Sequence, residues 1–208
     1  MNTIQKRSMS VVSTCAVLGG LLLSTQASYA APVRIQNPGF ETDTGSTINT
    51  ITGWTAVNNG GNGGIFTPGS DNYPGASNTS SSFTSAFGEN VAYSNGRTIE
   101  QQLNTTFNPA NVYRLSVDVG RRLDVPFPST GASIELLAGN TVIASAVTPV
   151  PPNGGFLTVT AWYSPRLKNR NCQYNQLAGQ PLTIRLLSND RNVFTGQVNW
   201  DNVKLKKF

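Results

Sequence analysis

Any acid–base chemistry in this chain falls to carboxylates, tyrosine or lysine, because its 208 residues include no histidine. That absence excludes Ser-His-Asp and Cys-His triads and zinc sites built on imidazole. Two of the ten acidic residues stand near opposite ends of the chain, Glu41 in Asn37-Pro38-Gly39-Phe40-Glu41 and Asp201 in Trp200-Asp201-Asn202-Val203. Pro38 and Gly39 break a first strand, Phe40 dips into a core, and Glu41 emerges beside an exposed turn. Where the first and last strands of a sandwich are neighbours, Glu41 and Asp201 approach each other. Such a pair, with no histidine or committed arginine, needs a cation or a proton. Calcium suits it, taking six to eight oxygens from carboxylates and from backbone carbonyls at a turn; Asp43 is a possible third ligand. A second set of residues suits a small ligand or a sugar, whose apolar faces stack on rings while amides and charges bind its hydroxyls. It comprises Tyr73, Tyr93, Trp162 and Tyr163, aided by Asn72, Asn90 and Arg122. Tyr163 shares parity with the inward residues of its strand and reads as core, as do Trp54 and Trp200. Trp162 points the other way and is the better platform.

The elements that must position these residues are strands. Tyr113, Leu115, Val117 and Val119 alternate with polar neighbours, as do Leu157, Val159, Ala161 and Tyr163, and Leu182, Ile184 and Leu186. Each pattern predicts a strand with one face in a core. Gly139-Asn140, between Ile134–Ala138 and Thr141–Ala146, is a two-residue hairpin loop. Further strands are predicted at Val33–Gln36, Trp54–Val57, Val91–Ser94, Thr98–Leu103 and Gln197–Leu205. About ten strands punctuated by Gly, Pro and Asn give an all-β, antiparallel β-sandwich jelly roll. In the last strand Val198 and Trp200 share one parity and Val203 and Leu205 the other. Both pairs face the core only if an extra residue is inserted near Asp201-Asn202, a β-bulge that re-aims Asp201; the other reading is a frayed end with Leu205 at the surface. Residues 58–85, rich in Gly, Asn, Ser and Pro, resist strand assignment. They read either as a surface excursion pinned by Phe66, Tyr73 and Phe83 or as a binding loop that offers those rings.

The N-terminus reads as a secretory leader over residues 1–30. Lys6 and Arg7 precede an apolar stretch from Val11 to Leu23, and Ser28-Tyr29-Ala30 is a small-x-small cleavage signal before Ala31. The stretch is shorter than the ~18–20 residues of a spanning helix, so the expected product is exported, secreted or periplasmic, with no membrane association after processing and no sorting tail beyond Phe208. Residues 31–208 then form one domain, with thirteen Lys and Arg against ten acids and a charge near +3. No basic cluster follows an element, which argues against nucleic-acid binding. Cys172 alone remains, so no intramolecular disulfide forms, and no histidine is available to activate the thiol.

Asn-x-Gly-Phe-Glu near the start, Ile51-Thr52-Gly53-Trp54, and the closing Trp200-Asp201-Asn202-Val203-Lys204-Leu205 resemble galactose-binding-type jelly rolls and carbohydrate-binding modules. Tyr113–Gly120, Ile134–Gly139 and Leu182–Leu187 are similar to the cyanobacterial hapalindole-type alkaloid cyclases, the Stig cyclases. That resemblance implies an exported calcium-binding jelly roll that rearranges and cyclises isoprenylated indoles, with Asp201 as proton donor, Glu41 as calcium ligand and a homodimer as a plausible assembly. Aromatic positions of those cyclases fall near Val91 and Arg122, neither of them aromatic here, which argues against the same substrate. The leading expectation is therefore a calcium-stabilised module that binds a carbohydrate or another small ligand through Tyr73, Tyr93, Arg122 and Trp162. The alternative is a cyclase with Asp201 as general acid, and a third reading is a matrix or surface-layer protein. Direct coordination of calcium by Asp201 excludes its service as an acid, so the two leading readings separate at that residue.

Overall fold

The computed structural model describes residues 29–43, 47–48, 50–57, 61–74, 88–165, 174–189 and 196–208. Residues 1–28 of the expected leader, Phe83 and Cys172 lie outside the described residues. Twelve strands lie among the described residues: β1 (Ala31–Val33), β2 (Thr47–Ile48), β3 (Thr55–Val57), β4 (Asn62–Phe66), β5 (Val91–Asn95), β6 (Thr98–Thr106), β7 (Tyr113–Arg121), β8 (Ala132–Ala138), β9 (Thr141–Thr148), β10 (Gly155–Tyr163), β11 (Pro181–Ser188) and β12 (Val198–Lys207). They form two antiparallel sheets. One runs β10-β7-β12-β5-β4-β2, with β1 also paired to β12; the other runs β3-β6-β11-β8-β9.

The alternation seen in the sequence explains why these segments stack as a sandwich. Leu115, Val117 and Val119 of β7 are fully buried, as are Ile134 and Leu136 of β8 and Leu182, Ile184 and Leu186 of β11. Period-two spacing puts each set on one face of its sheet, so the two faces close on a single hydrophobic core. Trp54, Tyr163 and Trp200 are part of that core, as expected. The Trp200 indole N–H donates to Ser94 Oγ at 3.0 Å, which satisfies its buried polar edge.

Two departures from the sequence reading concern strands. The first strand ends at Val33 rather than reaching Gln36. At Gln36 the pairing partner is a side chain: its N–H donates to Gln101 Oε1, and Gln101 Nε2 returns a bond to its carbonyl, both at 2.8 Å. Within the stretch read as loop, Asn62–Phe66 is a strand paired to β5. Its Gly63 permits close backbone approach, since a Cβ there would lie 2.6 Å from the Tyr93 carbonyl oxygen. A strand built on such glycines carries no hydrophobic alternation to read.

The bulge in β12 is present. Asp201 is opposite Asp118 and Lys204 opposite Ser116, three residues against two, and Asn202 takes a φ of 48°. Consequently Val198, Trp200, Val203 and Leu205 all face the core. Asn202→Ile, a β-branched residue that resists the positive φ of this position, should destabilise the fold by about 1–3 kcal/mol. Asn202→Gly should instead leave the melting temperature within a few degrees, because glycine adopts positive φ freely. Equal melting temperatures for the isoleucine and the glycine variant in thermal denaturation would exclude this account of the bulge.

Candidate active site

The bulge decides what Asp201 faces. Trp200 points into the core, so Asp201 points to the outer face of the seven-stranded sheet, opposite Asp118. The Asn202 N–H turns back to donate to Asp201 Oδ1 at 2.6 Å, while the Val203 N–H leaves the strand for the Pro38 carbonyl at 2.9 Å. Asp201 is 0% exposed, and among the described residues its Oδ2 has no hydrogen-bond partner. Burial pushes the carboxyl up to about 9; the Asn202 N–H opposes this, and the charges of Glu41 and Asp118 add to it. At neutral pH Asp201 is therefore an acid that keeps its proton.

Its surroundings are aromatic. Asn199 and Gly120, two residues along from the Asp201–Asp118 pair, are also register partners. Tyr73, on the turn after β4, is buried. Its hydroxyl donates to Asn199 Oδ1 at 2.7 Å, and its ring stacks on Phe156 with centroids 4.8 Å apart. Residue 120 must be glycine for this, because a Cβ there would lie 2.5 Å from both the Tyr73 hydroxyl and Phe156. Burial raises the Tyr73 hydroxyl far above the usual tyrosine range, so it acts as a neutral donor. Tyr93 is opposite Asn199 and meets the Phe66 ring edge-on at 6.0 Å.

Arg122 is a cation already matched. It binds Asp124 through two nitrogens and Gln197 Oε1 through Nη1 at 2.8 Å, and its guanidinium lies 4.9 Å from the Phe66 centroid. Asp124 also accepts from Asn72, whose carbonyl takes the Leu123 N–H. Together these bonds fasten the turn that carries Tyr73 to the end of β7.

Of the residues singled out in the sequence, the structure thus brings Tyr73, Tyr93, Arg122 and Asp201 to one region of the sheet. Trp162 shares the outer face but is the partner of Arg114, four residues from Thr158 in the Asp118 row, or about 13 Å along the strand. It is 47% exposed, stacks on Phe208 at 6.2 Å and carries the Arg114 guanidinium at 5.5 Å. Asn90 is taken up structurally, accepting from Thr67 and donating to the Asp43 carbonyl.

The two chain ends do meet. A Cβ on Gly39 would lie 3.6 Å from Asp201 Oδ1 and 3.9 Å from Glu41 Cγ. Each of the three carboxylates expected to share a cation accepts hydrogen bonds from the protein. Glu41 accepts the N–H groups of Glu89 and Asn90, each at 3.0 Å. Asp43 accepts the Thr52 N–H and hydroxyl and the Asn37 amide. Among the described residues no three acidic or cysteine side chains gather as a metal cluster. The donor chemistry fits a hard cation best at Glu41, each of whose oxygens accepts one hydrogen bond and keeps a lone pair, whereas at Asp43 Oδ2 already accepts two.

Asp118, Phe156, Thr158 and Asn199 escape a reading of the sequence. Their outward parity is visible, but their meeting depends on the register between β10, β7 and β12, which residues alone do not disclose.

Comparison with known proteins places these features in context. The HpiC1-like family, described as HpiC1 cyclase, matches residues 31–206. A cyclase from Fischerella sp. TAU superposes with a TM-score of 0.68 at 28% identity, covering 86% of this chain and 98% of that one. A Stig cyclase from the same organism, in complex with (3Z)-3-(1-methyl-2-pyrrolidinylidene)-3H-indole, gives 0.67 at 28% with the same coverage. A cyclase from that organism in complex with 4-(1H-indol-3-yl)butan-2-one gives 0.66 at 29%, again over 86% and 98%. No curated protein matches the chain by sequence. These likenesses favour the cyclase alternative over the carbohydrate module.

A carboxyl whose folded value is raised from 3.8 to about 9 stabilises the fold fully only below pH 3.8, and that contribution is lost as pH rises to 9. Asn cannot ionise, so the melting temperature of Asp201→Asn minus that of wild type should climb steadily between pH 4 and 9. The corresponding difference in unfolding free energy should grow by about 4 kcal/mol by pH 7. Parallel melting curves for the two proteins across that range would show that Asp201 is not a protonated buried acid.

Proposed function

Because this chain belongs to the HpiC1-like cyclase family, we propose that it is an acid-initiated cyclase acting on a small, neutral, prenylated indole, with Asp201 as the proton donor. One observation carries the reading: a buried carboxyl, protonated at neutral pH, with one oxygen that has no partner among the described residues, on a face walled by Tyr73, Tyr93, Phe66 and Phe156. Asp201 gives its proton to an electron-rich carbon–carbon double bond of the substrate; the new C–H bond leaves a cation, and the aspartate it created stands beside that cation. Ring faces stabilise such a charge without offering a nucleophile. A second double bond of the same molecule then attacks the cation to close the ring, and loss of a proton ends the sequence. The indole ligands of the similar cyclases support an aromatic bicyclic substrate. The cation of Arg122 does not oppose it, being neutralised by Asp124. The carbohydrate module is the weaker reading: Tyr73 is buried, and the Trp162 ring is engaged by Arg114 and Phe208.

Calcium stands outside the chemical step in this proposal. Glu41 and backbone carbonyls near it would hold the ion, which would supply structural cross-linking of the two chain ends. An ion shared with Asp201 would lower its pKa and remove the proton on which the chemistry depends.

Incubated with a prenylated indole isonitrile in D2O, the wild-type protein should yield cyclised isomers carrying one new deuterium, and Asp201→Asn should be slower by about 10²–10⁴-fold, the contribution of one general acid. Undiminished turnover by Asp201→Asn would exclude the acid role. For the metal, a chelator should lower the melting temperature of the wild type by several degrees and leave Glu41→Gln unmoved; no shift in the wild type removes calcium from the proposal.

A further inference from the structure

Asp118 is an unassigned carboxylate at the centre of this face. It lies on β7 between two register partners, Asp201 on β12 and Thr158 on β10. Its parity is opposite to that of the buried Val117 and Val119, so it shares the outer face with Asp201. Directly opposed residues on antiparallel strands have Cα atoms about 4.5–5.5 Å apart. The Thr158 hydroxyl donates to Asp118 Oδ1 and so aims the carboxylate. Among the described residues no Arg or Lys is ion-paired to it. Asp118 thus faces a buried acid across one strand gap, which sets a proton donor and an acceptor side by side on one face.

Building on the cyclase reading, we infer that Asp118 is the second catalytic group of the site, the carboxylate that faces the substrate cation and takes the proton whose loss ends the reaction. The proton balance closes within the pair. Asp201 loses its proton to a substrate carbon; after ring closure, a C–H bond next to the cationic centre breaks. Its electron pair becomes the product double bond, and its proton goes to an Asp118 oxygen. Transfer from Asp118 to the Asp201 carboxylate across the strand gap, directly or through one water, restores the starting state without an oxidant or reductant. A carbocation is so strong an acid that an ordinary carboxylate suffices to deprotonate it. Two carboxylates are needed because the proton enters at one carbon and leaves from another, and a single side chain is within hydrogen-bond reach of only one.

A matched pair of probes tests this: 4-(1H-indol-3-yl)butan-2-one, which is neutral, and the corresponding butan-2-amine, which is protonated at pH 7 and mimics the cation. Wild-type protein should bind the amine more tightly than the ketone by calorimetry. Asp118→Asn, which can keep the Thr158 bond, should lose that preference by at least tenfold with its ketone affinity unchanged, and Thr158→Val should lose part of it. With the prenylated indole isonitrile, Asp118→Asn should still incorporate solvent deuterium but divert product toward water-captured alcohols. Ketone binding with no preference for the amine in the wild type, or a preference that survives Asp118→Asn, overturns the role of Asp118 alone. Binding of neither probe overturns the indole reading, and this inference with it.

Discussion

A single inserted residue in the last strand governs the rest of this molecule. With Asn202 in a left-handed conformation, the chain changes parity once, and both apolar pairs of β12 reach the core. The same change leaves Asp201 on the outer face with a backbone amide bent onto one of its oxygens. It also frees the Val203 N–H to receive the opening turn through Pro38. Core packing, the junction of the two chain ends and the placement of the acid are thus consequences of one backbone irregularity. A regular strand would satisfy at most one of the two apolar pairs and would leave the Val203–Pro38 bond unmade.

Electrostatics on this face follow from where charge is compensated and where it is not. Arg122 is matched by Asp124, Arg185 by Glu100 and Glu135, and Glu41 by two backbone amides. Asp201 receives one amide against nearly complete removal from water, and desolvation prevails. A carboxyl in that position resolves the conflict by keeping its proton. Of the aromatic side chains beside it, Phe66 and Phe156 carry no polar atom, and the Tyr73 hydroxyl is already given to Asn199.

Much of this was legible in the residues. Alternation in β7, β10 and β11, the Gly139-Asn140 hairpin and the parity break in β12 each rest on a local pattern, and each is present. What could not be read is non-local. Asn62–Phe66 forms a strand because its glycines allow β5 to approach, a reason that lies in the partner and not in the segment. Glu41 and Asp201 are neighbours, as the chain ends suggested, but the direction of the Glu41 carboxylate is set by the 88–90 turn, which carries no sequence signal for it. Trp162 has the outward parity of a ligand platform, and only the register shows that it lies at the far end of the sheet from the acid.

The register of Thr158, Asp118 and Asp201 has a geometric corollary. Three adjacent strands present these side chains as a row at the fixed interstrand interval of about 4.8 Å. In the proposed reaction, a proton delivered at one mark of this row and collected at the next would measure the substrate against the sheet itself. Regiochemistry is then written in hydrogen-bond spacing, a dimension that side-chain substitution cannot stretch. Relatives that share the row would differ in which molecule they accept more readily than in how far apart its bonds are made and broken.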